Sequence, residues 1–109
     1  MRDIIDVKGA SGVAYRFTRF RDGNPLSAMG GNYLYALDDA SAPQVIYAGE
    51  AQNLLTGARL LWDRAVADFG ATDLFTRLNI SERTRQQEHA DILAASPPPM
   101  NLVIADQTD

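Results

Sequence analysis

The side chains of this chain that could do chemistry are few. There is one histidine, His89, and no cysteine, which excludes a thiolate metal site and a disulfide. The basic residues are nine arginines and one lysine. Arginine forks match carboxylate and phosphate geometry, although in an alanine-rich chain compositional bias is the plainer reading. Glu88 adjoins His89 in sequence, but neighbours on a helix are turned about 100° apart, so the two do not chelate one ion. Glu88 lies three residues after Arg85 and four before Ile92, at the border of an apolar stripe. Two roles fit that position. It can ion-pair with Arg85 one turn earlier, or serve a hard cation such as Mg²⁺, which takes oxygen ligands and tolerates one carboxylate plus waters. Tyr33, Tyr35 and Tyr47 stand close together in sequence. A free phenol has a pKa of about 10 and is a poor base unless positive charge lowers it; otherwise strand tyrosines pack.

The elements that must position these groups follow from pattern. Gly31–Gly49 (GNYLYALDDASAPQVIYAG) reads as a hairpin, with strands at Asn32–Leu37 and Gln44–Ala48 around a turn-rich loop, Asp38–Pro43. Side chains alternate along a strand, so Tyr33 and Tyr35 share one face, Leu34 and Ala36 the other, and Val45 shares a face with Tyr47. Upstream, Ile4, Ile5 and Val7 make a short strand, and Val13–Phe20 a better one with Val13, Tyr15 and Phe17 pointing one way. Arg16 and Arg19 then form either a solvated strand face or, with Arg21, a phosphate-facing stripe. Arg21–Pro25 is a turn.

Downstream, Ala51–Phe69 predicts an amphipathic helix with Leu54, Ala58, Leu61, Trp62, Ala65 and Phe69 on one side and Gly70 as its stop. Gly57 interrupts it at a cost of about 1 kcal/mol against Ala. Asp73–Ile80 reads as a further strand. Ser81 caps a helix from Glu82 to about Ala95, which Pro97–Pro99 end. Met100–Ala105 is expected as a short edge strand or a packed tail.

The whole chain, at 109 residues, is expected to form one domain. No apolar run is long enough to span a bilayer, no membrane partner is expected, and the N-terminus lacks a secretory stretch, which makes the cytoplasm the simplest compartment. The net charge of −4 is unfavourable for a nucleic-acid enzyme, because phosphate contacts call for a basic footprint.

A resemblance lies in the order of several short motifs. Gly31-Asn32-Tyr33 is followed by Tyr47-Ala48-Gly49, then Asn53-Leu54, then Arg85-Gln86-Gln87-Glu88-His89-Ala90-Asp91-Ile92, a proline run and Asn101. This order resembles the GIY-YIG nuclease family over Gly31 to Asn101, with departures at the middle of each triplet, Asn32 and Ala48. The resemblance implies an α+β fold: a small, mainly antiparallel sheet flanked by two main helices. Residues 1–30 would add an N-terminal strand or hairpin to a motif-bearing core at 31–101. It implies a divalent-metal-dependent endonuclease that hydrolyses DNA phosphodiester bonds. Glu88 would hold Mg²⁺ or Mn²⁺, Tyr33 and Tyr47 would sit at the attacking water, and Gly49 and Asn101 would support the site.

The family's arginine falls three places after the Leu of the Asn-Leu pair, where this chain has Gly57. Arg59 is turned about 200° around the helix from there, and Arg64 faces nearly the same way but roughly 10 Å further along. Arg59 can instead pair with Asp63 at i,i+4. Gly57, Asn32, Ala48 and the acidic charge point to a second reading: an inactive relative that binds nucleic acid or a protein partner, the latter also able to supply specificity. Catalysis requires Glu88, both tyrosines and a guanidinium to converge on one cleft.

Overall fold

The computed structural model describes residues 2–107 apart from positions 22, 24, 40 and 41. Five strands are seen among the described residues: β1 Ile4–Lys8, β2 Ala14–Arg19, β3 Gly31–Asp38, β4 Pro43–Ala51 and β5 Asp73–Leu78. They form one sheet in the order β1-β2-β5-β3-β4, with every neighbouring pair antiparallel. The helices are α1 Leu54–Gly57, α2 Trp62–Phe69, α3 Glu82–Ala95 and α4 Pro99–Asp106. The α+β class and the antiparallel sheet agree with expectation. Two main helices were expected, and four helices, one of them the single turn α1, are present among the described residues.

Each face of the sheet buries its own core. On one, Tyr33, Tyr35 and Ile46 pack with Leu54, Ala65 and Met100, under α1, α2 and α4. On the other, Phe17, Leu34, Ala48 and Phe75 pack with Ile92 of α3. Each fully buried side chain of this size contributes about 1.5–3 kcal/mol. The alternation along β3 is what sorts Tyr33 and Tyr35 from Leu34.

Three expectations about elements are corrected. The helix expected over Ala51–Phe69 is broken: β4 runs on to Ala51, and α1 and α2 are separated at positions 58–61. The break has a partner in the sheet, because the Tyr35 hydroxyl donates to Ala58 O at 2.7 Å and accepts from Leu61 N at 3.2 Å. Val45 and Tyr47 do not share a face. Tyr35 pairs with Tyr47 and Ala36 with Val45, so Ile46 is an extra residue on β4. This bulge returns Val45 to the α3 side and leaves both Ile46 and Tyr47 on the other. Met100–Ala105 is helical, with Pro99 in the first turn of α4, where a missing N–H costs nothing.

The chain passes from α3 to α4 around the outer edge of β4. There Asn101 closes the edge: its Oδ1 accepts from Ala48 N and its Nδ2 donates to Ala48 O, both at 2.9 Å. A side-chain amide thus takes the place of a neighbouring strand at an edge that would otherwise present free backbone groups.

Candidate functional site

Glu88 and Arg85 stand one turn apart on α3, a helix whose N-terminus Ser81 caps by accepting from Thr84 N. The sequence offered them to each other, and the structure pairs them elsewhere. Arg85 is only 2% exposed. Its Nε donates to Glu50 Oε2 at 2.6 Å, and its Nη1 donates to the carbonyls of Asn79 and Ile80, both at 3.3 Å. Glu88 Oε1 accepts from Arg77 Nε at 2.9 Å and from Asn79 Nδ2 at 3.0 Å. Asn79 Nδ2 also donates to Asn32 Oδ1 at 2.9 Å, and Asn32 Nδ2 donates to the Arg85 carbonyl at 3.2 Å. Asn32 pairs across the sheet with Glu50 on one side and Arg77 on the other, so strand register places the whole set on the α3 face. Gly30 admits the Arg85 guanidinium, since a Cβ there would collide with Nη1. Asn32, at the middle of the first triplet, is a structural member of this network.

The tyrosines lie on the opposite face. Tyr33, Tyr35 and Tyr47 form a cluster with ring centroids 5.4–6.0 Å apart, and Trp62 meets Tyr35 edge-on at 5.3 Å. Burial pushes the Tyr33 hydroxyl well above the usual phenol range, and the neighbouring Tyr47 and Tyr35 add to this. Burial likewise pushes Tyr35 up to about 12, partly opposed by its hydrogen bond from Leu61 N. Both phenols are therefore neutral at ordinary pH, because burial outweighs the hydrogen bonds that work the other way at Tyr35. Gly49 sits directly across β3–β4 from Tyr33, whose ring fills the space beside it.

The arginines suggested for the phosphate lie apart from Glu88. Arg59 lies over the Phe20 ring, 5.8 Å from its centroid. Arg64 donates to Gln107 Oε1 at 2.7 Å and makes the i,i+4 contact with Asp68 at 3.6 Å. Glu88 thus lies across the sheet from Tyr33 and Tyr47, and the two arginines each have a different neighbour. The proposed arginine stripe near the N-terminus is also corrected. Arg16 pairs with Asp6 and Arg21 with Asp3, while Arg19 is buried between Asp38 and Asp73 and bonded to the Arg2 carbonyl. Among the described residues, seven of the nine arginines have a carboxylate partner.

The donor set does not suit a hard cation. Glu88 Oε1 already takes two N–H donors, one of them a guanidinium. Among the described residues no three Asp, Glu or His side chains gather as a metal site. His89 is half-buried, and burial lowers its pKa while the Glu50 charge works against that.

Sequence reading missed Glu50, Arg77 and Asn79 as members of the network, and it missed Asp91. The Asp91 carboxylate accepts from Ser11 N at 2.9 Å, Ser11 Oγ at 2.6 Å and the Tyr15 hydroxyl at 2.6 Å, tying α3 to the β1–β2 turn. A Cβ on Gly9 would strike this carboxylate. Comparison with protein-family models, curated proteins and solved structures finds no match for the chain.

Proposed function

We propose that this chain is a GIY-YIG-like domain that has kept a fold and lost phosphodiester hydrolysis, and that it works by binding a protein partner. The observation that carries the reading is the sheet itself, which lies between Glu88 on the α3 face and Tyr33 with Tyr47 on the other. Hydrolysis needs a charge-stabilising group and a water-activating group around one phosphorus atom. Here the carboxylate is paired with Arg77, and the buried Tyr33 phenol is held above the usual phenol range.

A protein partner is favoured over nucleic acid by charge and by exposed apolar surface. Most of the guanidinium charge is already matched by carboxylates within an acidic chain, which leaves little to replace counterions on a phosphate backbone. Backbone bonds from Leu54 N to Met29 O, Leu55 N to Ser27 O and Asn79 N to Gly30 O gather three segments at one end of the sheet. Those segments carry Met29, Leu55, Leu78 and Ile80, each 44–57% exposed. Exposed apolar side chains gathered at one end of a sheet favour a protein contact.

The test is cleavage of supercoiled plasmid and branched DNA in Mg²⁺ or Mn²⁺, comparing the wild type with Glu88→Ala at equal purity. No cutting by folded wild type agrees with the reading. Metal-dependent cutting that disappears in the variant overturns it and restores the endonuclease.

A further inference from the structure

A cleft of about 600 Å³ opens between the α1–α2 joint and the strands β2 and β5. Its walls include Phe20, Trp62 and Leu74, and its polar residues are Thr72, Asp73 and the arginines Arg19, Arg21 and Arg59. Arg19 is satisfied, with Asp38 and Asp73 on its fork and the Arg2 carbonyl on Nε. Arg59 is not: among the described residues it has no carboxylate partner, and only the face of Phe20 lies beneath it. Its backbone is nonetheless held, because the Tyr35 hydroxyl fixes Ala58 O on one side and Leu61 N on the other. The held backbone keeps Arg59 at the mouth of the cleft, where its planar fork is free to close on an anion.

The charge around the cleft limits the anion. Arg21 also lines the cleft but is paired with Asp3, which leaves Arg59 as the lining cation without a carboxylate partner among the described residues. One such cation suits one negative charge, and the Asp73 carboxylate opposes a dianion. A carboxylate attached to a flat apolar body would place its charge on the Arg59 fork and its body against Phe20 and Trp62. The volume lies within the usual range for small-molecule sites. We infer that this cleft binds a monoanionic carboxylate carried on an aromatic body, either a small aromatic acid or a peptide ending in an aromatic residue with a free C-terminus. The inference stands independently of the account of Glu88 and the tyrosines.

Trp62 is the chain's one tryptophan, so intrinsic fluorescence reports on this wall of the cleft. The experiment titrates the full chain with 3-phenylpropionate and with a short peptide ending in Phe. The corresponding alcohol and the peptide C-terminal amide serve as uncharged controls. The expected result is a saturable change with at least one acid, weakened about tenfold or more by Arg59→Gln and matched by neither control. Tighter binding of the peptide identifies a protein C-terminus as the source, and tighter binding of the small acid identifies a metabolite-sized ligand. Arg59 is exposed, so the Gln variant keeps the fold, which circular dichroism verifies. No saturable change with either acid, or equal affinity of wild type and variant, overturns the inference.

Discussion

Tyr33 lies directly opposite Gly49 across the β3–β4 pair, and its ring occupies the space a side chain at Gly49 would need. A Cβ there would stand 2.5 Å from the Tyr33 hydroxyl and 2.8 Å from Cε1. The last residue of one triplet is therefore glycine because the last residue of the other is a packed tyrosine. Gly49→Ala forces the ring off its rotamer or the strands apart, and should lose about 1–3 kcal/mol in urea denaturation. The double variant Gly49→Ala, Tyr33→Leu should recover part of that loss.

The Arg85 network makes a larger prediction. Replacing Arg85 by Met strands the Glu50 carboxylate and the carbonyls of Asn79 and Ile80 in a mostly buried place. Breaking a buried ion pair from one side costs about 3–5 kcal/mol. On an 11.9 kDa chain such a loss approaches total stability, so the variant should melt far below wild type or fail to fold. Glu88→Gln keeps a hydrogen-bond acceptor for Arg77 and Asn79 and should cost less. A metal ligand would show the reverse ranking in function and little effect on folding.

At the α1–α2 joint, Tyr35→Phe keeps the ring stacked on Tyr47 and edge-on to Trp62 but removes the hydroxyl. Ala58 O and Leu61 N then lose their partner. The expected loss is about 1–3 kcal/mol, with faster amide exchange concentrated at residues 58–62. Uniform exchange over the whole chain would show that the hydroxyl does not hold this joint.

The Asp91 knot sets a pH dependence. Hydrogen bonds from Ser11, then from Tyr15, hold the Asp91 carboxyl below its ordinary range, and the same contact raises Tyr15. A depressed folded pKa means that the unfolded chain binds more protons in acid. The contribution is present above the unfolded value of about 3.9 and is lost as pH falls through the folded value. Melting temperature should therefore fall as pH drops from about 5 to about 3. Asp91→Asn should melt lower at neutral pH and show a shallower fall over that window. An unchanged slope would mean other carboxylates govern acid stability.

Much of the fold was legible because local rules and burial agreed. Ser81 and the proline run bounded α3, and the alternation of β3 sorted Tyr33 and Tyr35 from Leu34. What was not legible depended on contacts distant in sequence. The break between α1 and α2 is held by a hydroxyl from β3, the bulge at Ile46 is a matter of register, and α4 reads locally like a strand. The candidate site misled for a similar reason. Sequence spacing offered Arg85 to Glu88, but the strand ends supplied Glu50 to Arg85 and Arg77 to Glu88. Motif order fixes where residues stand along the chain, and the sheet decides which face they reach.

In the proposed reading Glu88 belongs to a structural network with Arg77 and Asn79, and not to a metal centre shared with the tyrosines. Mn²⁺ titration of the ¹⁵N-labelled chain, followed by paramagnetic broadening of its amide and tyrosine-ring signals, tests this most directly. The account predicts no selective loss of signal around Glu88, Tyr33 and Tyr47 at metal concentrations that leave the rest of the spectrum intact. Saturable broadening that is centred on Glu88, reaches Tyr33 and Tyr47, and is abolished by Glu88→Gln would contradict it.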